Sequence, residues 1–380
     1  MKKNVLILTL PLGKNYGGII QAYSLQHVVS GLGLSVTTGY PKIGYIGWIA
    51  GSLKDAAVRL KGGWRDYRYS PNVEQGLTKH TRMFIDKYMN TIETVGYFLI
   101  NNKYLDREYD IFITGSDQVW RGYRALSYYL FGFSNSPNKI KLSYAASFGV
   151  SDPKFSKKTI DRAKRFISNM VGVSVREKHS IEIVKKYWNV DADYHVDPAL
   201  LIDAKHYNKL INEDTKNLVE KDGKIFAYVL DHEGEKGKII DKVAKELKTE
   251  VFEVLPPKPK NYYEYKKNPE KYNLPPITQW LKGFRDADFV VTDSFHGCVF
   301  SIIYNKPFLA IGNRERGLAR FVSLLEIFKL EDRLVFTSND VTKELIGVKI
   351  NWRQVNSIIQ AEQARSRQYL KEMINNGYKD

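Results

Sequence analysis

The sequence holds a single cysteine, Cys298, so it cannot close an internal disulfide. That fits a reducing cytoplasm and excludes the disulfide-stapled secreted scaffolds. It has no apolar stretch approaching the roughly 20 residues that span a bilayer. The opening "MKKNVLILTLPLGKNYGG" pairs two lysines with a short apolar run. No small-residue cleavage site follows, so the run reads as a first buried strand rather than a secretion signal. No G-x-G-x-x-G follows that strand, and no acidic residue is placed for a dinucleotide ribose, which argues against a nicotinamide site. Zinc-finger spacing, an RNP-like motif and basic-region heptads are all missing, so nucleic acid is not an expected partner. No cluster of metal-ligating residues is visible, and a metal-independent protein is expected. A short-period repeat is also absent.

What is present is a soluble globular composition: 43% hydrophobic and 26% charged over 380 residues, enough chain for two domains. The formal charge of +16 favours anionic partners. Its lysines and arginines are spread along the chain rather than gathered in one block, as on a solvated basic surface.

Strand-like and helix-like patterns alternate. Apolar, β-branched runs fall at Val5–Leu10, Asp110–Thr114, Lys141–Ala146, Gly172–Val175, Lys224–Leu230, Glu250–Leu255, Asp288–Thr292 and Pro307–Ile311. Helical patterns separate them, among them Gly18–Val29, Lys157–Met170, Lys178–Trp188, Lys236–Leu247, Gln279–Asp286 and Gly297–Tyr304. Strands apolar throughout, each followed by a helix, predict an α/β fold with parallel sheets covered on both faces. The polar stretch Asn212–Gly223 reads as a linker between an N-terminal domain, 1–211, and a C-terminal one, 224–351. The charged final helix, within 352–380, is a candidate to pack back on the first domain. Two segments fall outside the alternation: Ile43–Gly76, and residues 255–276, which read as a long ordered loop.

In open parallel sheets ligands sit beyond the carboxyl ends of the strands. After the first strand, Gly17 and Gly18 permit a tight turn that exposes helix-start N–H groups to an anion. "GSDQVW" follows the next strand, where Asp117 and Gln118 are candidates for sugar hydroxyls or for a base; capping of the following helix explains them equally well. Arg176 stands first after the strand at Gly172–Val175, where its fork suits a carboxylate or phosphate. Asp197, in "YHVDPALL", reads as a turn residue. The seam "TDSFHG" places Asp293, Ser294 and His296 between an apolar strand and an apolar helix, where packing alone does not ask for them. Past the last strand, Arg316 and Arg320 lie four residues apart, on one helix face. Together these residues predict a cleft that receives an anionic ligand.

With these motifs in hand, the chain resembles the polysaccharide pyruvyl transferase family. The likeness runs through "NYGGIIQAYSL", "FITGSDQVW", "LSYAASFG", "VSVREKHS", "YHVDPALLI" and "ADFVVTDSFHGCVFSIIYNKPFLAI". It implies two Rossmann-like domains in a GT-B-like arrangement around a cleft. It also implies transfer of the enolpyruvyl-derived group of phosphoenolpyruvate to a sugar of a cell-surface polysaccharide or its lipid-linked precursor, as a pyruvate ketal. Phosphoenolpyruvate is then a substrate and no cofactor is needed. Arg176 matches the family's strand-end arginine, and His296 its late histidine. Many members read arginine-x-histidine there, whereas this chain reads Ser294-Phe295-His296, so Arg316 or Arg320 is the expected replacement for the missing cation. The implied roles are donor binding by Arg176, His296, Ser294, Arg316, Arg320, Gly17 and Gly18, proton transfer by His296 with Asp117 or Asp293, and acceptor binding by Asp117 and Gln118. A nucleotide-sugar glycosyltransferase in the same cleft and a lectin-like binder of anionic polysaccharide, using the 25 tyrosines, remain alternatives.

A lipid-linked acceptor directs attention to 45–69. Ile46, Ile49, Leu53, Ala57 and Leu60 recur at helical spacing, Lys54, Arg59 and Lys61 add charge, and Trp48 and Trp64 flank the run. The pattern suits a helix packed on its own domain or one lying on an anionic membrane surface. The expected location is therefore cytoplasmic, with the inner membrane face as a candidate site.

Overall fold

A computed structural model describes residues 2–42, 70–97, 99, 102–230, 232, 234–259, 262–312 and 317–376. Two five-stranded sheets carry the fold. The first joins β1 (Asn4–Leu8), β2 (Ser35–Pro41), β3 (Thr91–Thr94), β4 (Ile111–Thr114) and β5 (Ile140–Ser143) in the order β3-β2-β1-β4-β5. β6 (Ser174–Val175) and β7 (Asp193–Tyr194) form a short pair beside β5, bridged to it at Leu142–Gly172 and Ala146–Val175. The second sheet joins β8 (Ile225–Tyr228), β9 (Val251–Phe252), β10 (Phe289–Thr292), β11 (Phe308–Ile311) and β12 (Leu334–Val335) in the order β12-β11-β10-β8-β9. Every pairing in both is parallel. The central strands read IFIT, FVVT and FLAI and are buried at every position, because helices cover both faces. Parallel pairing puts the carboxyl ends of each sheet's strands along one edge, and the motif residues follow those ends.

Aromatic rings weld the halves together. Trp280, in the helix Ile277–Asp286, stacks on Tyr16 of the first half at 5.5 Å and meets Phe300 edge-on at 4.9 Å. Phe300 meets Tyr207 at 5.0 Å. The C-terminal helix, Trp352–Asn376, crosses back to the first sheet. There Tyr369 Oη donates to Ser143 O at 2.9 Å, and Gln363 Nε2 donates to Leu200 O at 2.7 Å. Leu370 is fully buried beside them. Among the described residues no helix is long and apolar enough to cross a membrane.

All eight expected strands are present, mostly shorter than their apolar runs. β2, β3, β7 and β12 lie outside those eight runs. β2 reads SVTTGYP and β3 TIET, polar sequences that pair near one end of the sheet and never repeat the apolar pattern of the centre. The stretch Asn212–Gly223 is not a free linker. Val219 N donates to Gln279 Oε1 at 2.7 Å, Gln279 Nε2 returns a bond to Val219 O at 3.0 Å, and Glu220 pairs with Lys282 at 2.8 Å. A polar sequence is strapped down here by polar partners, which hydrophobic patterning cannot reveal. Residues 255–276 are likewise partly regular, with a helix at Tyr262–Lys267 and a 3-10 turn at Pro269–Tyr272. The candidate membrane segment 45–69 lies outside the described residues.

Replacing Tyr369 by alanine removes a buried ring from between His195 and Tyr144 and leaves the Ser143 carbonyl without its donor. The expected loss is about 3–5 kcal/mol. Tyr369→Phe, which removes only the hydroxyl, should cost about 1–3 kcal/mol. Urea unfolding midpoints check both, and equal midpoints for the alanine variant and the wild type would show that the helix is not part of the first half's core.

Candidate functional site

The site forms where strand ends of the first half meet two helices of the second. β1 leads into the helix Tyr16–Ser30, whose cap Asn15 accepts the Gly18 N–H at 3.1 Å. The His296 ring rests directly on this first turn. A Cβ placed on Gly17 would lie 2.1 Å from His296 Nδ1, so only glycine allows this contact between the halves. A Cβ on Gly18 would lie 3.3 Å from Asp117 Oδ2, which places the aspartate at the same turn. Asp117 follows β4 and is buried, with Oδ1 accepting the Gln118 N–H at 2.7 Å.

Arg176, first after β6, is buried and held on three sides. Its Nη1 donates to Asp197 Oδ2 at 2.9 Å and to Ser116 O at 3.2 Å, and its Nε donates to Glu177 Oε1 at 3.3 Å. Glu177 is fixed in turn by Ser147 at 2.6 Å and Ser180 at 3.3 Å. Asp197 follows β7 and opens the 3-10 turn Pro198–Leu201, where its Oδ1 accepts the Ala199 N–H at 3.0 Å. Its Oδ2 accepts Arg176 and the Ser116 hydroxyl, at 3.3 Å, and faces His296 Nε2 at 3.5 Å. This last distance is an ion-pair approach rather than a hydrogen bond.

The helix Phe295–Ile303 opens at the end of β10 and contributes both of its first residues. The Phe295 ring lies 4.5 Å from the Arg176 guanidinium carbon and 6.0 Å from that of Arg320, which comes from the helix Leu318–Phe328. Three donor atoms around this ring have no hydrogen-bond partner among the described residues: Arg176 Nη2, His296 Nε2 and Arg320 Nε. Polar atoms left without a partner are costly when buried, and these three lie around one ring.

The electrostatics match. Burial pushes the Asp197 carboxyl up, but His296 and Arg176 outweigh it and hold it below the usual carboxylate range. For Arg176, burial favours the neutral form, and the charges of Glu177, Asp197 and Asp117 reverse it, so the guanidinium stays firmly charged. Burial first and the Arg176 charge second push the Arg320 guanidinium down to about 10. Two guanidiniums therefore stand close together, and among the described residues the carboxylates that pair directly, Glu177 and Asp197, both pair with Arg176 and neither with Arg320. An anion placed beside Phe295 relieves that imbalance.

The structure thus gathers Gly17, Gly18, Asp117, Arg176, His296 and Arg320 into one place. Other candidates have partners of their own. Asp293 accepts the Leu230 N–H at 2.9 Å and pairs with Lys236 at 2.7 Å, so both of its oxygens are engaged within the second half. Gln118 Oε1 accepts Arg121 Nη1 at 2.9 Å. Ser294 sits at the start of its helix with its N–H on Thr292 Oγ1, at 3.1 Å. Arg316 lies outside the described residues. Sequence reasoning passed over Phe295, Glu177 and Asp197. The Asp-Pro pair after β7 is a turn signal, and the turn is real; nothing in the pattern shows that the same carboxylate also meets Arg176.

No curated protein matches the chain in sequence. Solved structures match it in fold. UGT89C1 from Arabidopsis thaliana, complexed with UDP-L-rhamnose, aligns over 98% of this chain and 99% of its own, with TM-score 0.52 at 10% identity. A putative UDP-N-acetylglucosamine 2-epimerase from Listeria monocytogenes aligns over 100% and 98%, with TM-score 0.52 at 10% identity. TarM from S. aureus, in complex with Fondaparinux, alpha-GlcNAc-glycerol and UDP, aligns over 100% of both chains, with TM-score 0.50 at 11% identity. At such identities the likeness speaks for the fold: two Rossmann-like domains with parallel sheets around a cleft, in the GT-B arrangement. The sequence itself carries the finer assignment, because residues 15–315 match the family model described as polysaccharide pyruvyl transferase. That stretch runs from the cap of the first helix through the strand ends that build the cleft, and the chain belongs to the polysaccharide pyruvyl transferase family.

Proposed function

We propose that the protein transfers the enolpyruvyl-derived group of phosphoenolpyruvate to a sugar, forming a pyruvate ketal. The observation that carries this reading is the cluster of three partnerless side-chain nitrogens, on Arg176, His296 and Arg320, around the ring of Phe295. Phosphoenolpyruvate is a small anion with a carboxylate and a phosphate, and it fits a pocket with several cationic donors.

In this reading Arg176 offers one donor rather than a fork, since Asp197, Ser116 and Glu177 occupy the others. Arg320 supplies the second cation, in place of an arginine at Ser294. His296 gives its proton to the methylene carbon of the donor, which leaves C2 electron-poor. An acceptor hydroxyl attacks C2 and loses its proton to a base, for which Asp117 is positioned at the first turn of the helix Tyr16–Ser30. The bond from C2 to the phosphate oxygen then breaks, and inorganic phosphate leaves. A second hydroxyl of the same sugar closes the ketal and gives up its proton. One phosphoenolpyruvate and one diol give one ketal and one phosphate, with no redox change. The acceptor is a sugar of a cell-surface polysaccharide or its lipid-linked precursor, and the reaction takes place in the cytoplasm or at the inner membrane face, where both substrates are at hand.

Thermal melting with phosphoenolpyruvate, UDP and GDP in turn tests the donor. A ligand at about 100 times its Kd stabilises the folded state by about 2.7 kcal/mol. The melting temperature should rise with phosphoenolpyruvate and stay put with either nucleotide; a rise with UDP or GDP alone would replace this reading by nucleotide-sugar transfer. Arg320→Gln should weaken donor binding by roughly 1.5–3 kcal/mol, about 10- to 150-fold in Kd, at unchanged melting temperature. Titration calorimetry measures it, and wild-type affinity in that variant removes Arg320 from the site. Gly17→Ala forces a methyl onto His296 Nδ1 and should abolish turnover while donor contacts on Arg176 and Arg320 persist. Full turnover in that variant would mean the histidine does not work from this position.

A further inference from the structure

We infer that Asp197 is a positioning residue for proton transfer: one buried carboxylate, held by its own turn, aims the histidine of one domain and the arginine of the other at the donor. The inference rests on the proposed pyruvyl transfer and adds to it a residue that neither binds the donor nor takes a proton.

Asp197 would satisfy an ordinary structural role with its turn alone. Its Oδ1 accepts the Ala199 N–H at 3.0 Å, which caps the 3-10 turn after β7 and fixes the plane of the carboxylate. Oδ2 is then left to face three groups from three other parts of the chain. It accepts Arg176 Nη1 at 2.9 Å and Ser116 Oγ at 3.3 Å, and it stands 3.5 Å from His296 Nε2. The side chain has no exposure to solvent. The Arg176 contact occupies Nη1 and leaves Nη2 without a partner among the described residues. The His296 contact fixes the ring by charge while leaving the Nε2 hydrogen bond unspent. On its other side the ring is stopped by Gly17, so it has little freedom to turn. A carboxylate beside the imidazole restrains its rotation and offsets the positive charge that the ring carries when protonated.

A second argument comes from the sign of the charge. The pocket takes an anion, and a fully buried carboxylate beside it opposes donor binding. An aspartate there costs donor affinity and is useful only if it serves the chemistry. The two roles separate in kinetics. If Asp197 aims the proton donor, removing its charge slows turnover and does not weaken donor binding. If it merely props up Arg176, donor binding and stability fall together.

The test compares the wild type with Asp197→Asn and Asp197→Glu, in kcat, in KM for phosphoenolpyruvate, in donor Kd by calorimetry and in melting temperature. Asp197→Asn keeps the acceptor for Ala199 and loses the charge. Its kcat should fall roughly 10- to 100-fold, with donor Kd unchanged or lower. Asp197→Glu keeps the charge and moves it by one methylene, and it serves as the second variant should the asparagine form fail to fold. Its kcat should fall about 10-fold or more with donor Kd within about twofold of the wild type. Wild-type kcat in either folded variant overturns the inference, and so does a loss confined to donor Kd and melting temperature. A wild type that neither binds nor consumes phosphoenolpyruvate overturns the proposed function and this inference with it, whereas a wild type that does both leaves the variants to decide this inference alone.

Discussion

Burying a guanidinium is costly unless carboxylates surround it, and the cleft is organised around one that has them. Arg176 has almost no exposure, and Glu177 and Asp197 both reach it, while the Ser116 carbonyl takes a further N–H. Taking a charge from water costs several kcal/mol, so the partners must be in place for the fold to form at all. Those partners come from the ends of β4, β6 and β7. The electrostatic need of one side chain thus fixes the relative position of three strand ends, and β6 and β7, only two residues long, have little ladder of their own to do it.

The second domain is fitted to that arrangement by close contact rather than by an extended ladder. The sheets themselves share no strand. Contact runs through Trp280, Tyr16, Phe300 and Tyr207, and through the His296 ring on the backbone of Gly17. Aromatic packing supplies much of the apolar burial at this seam. The histidine on a glycine sets the aim, since any residue with a Cβ would push it away. Energy and aim therefore come from different residues, a few ångströms apart.

Much of this was legible in the sequence, and what was not has identifiable physical causes. β1, β4, β10 and β11 are apolar on both faces and declare themselves, and with them the parallel sheets and the edge where ligands gather. His296 and Arg176 stand out because they are ionisable and follow such strands. β2 and β3 did not stand out, because polar strands toward one end of a sheet carry no repeating apolar signal. The strap at Asn212–Gly223 looked like a linker for the same reason: Gln279 and Lys282 hold it through bonds whose partners lie about 60 residues away. Asp293 and Asp197 show the limit most plainly. Both are aspartates after strands, and the sequence favoured the first. The fold turns Asp293 toward Lys236 and Asp197 toward Arg176, a choice made by tertiary geometry alone.

The return of the C-terminal helix to the first sheet has a consequence for how the protein is made. Tyr369 and Ser143, joined by a hydrogen bond, are separated by 226 residues of chain. At about 5–20 residues per second, a ribosome needs roughly 10–45 s to deliver the helix after the strand it covers has emerged. For that interval the nascent first domain carries an uncovered apolar face where Tyr369, Leu370 and Ile374 will dock. The whole second domain is synthesised meanwhile. The first half thus stands without its covering helix throughout that interval.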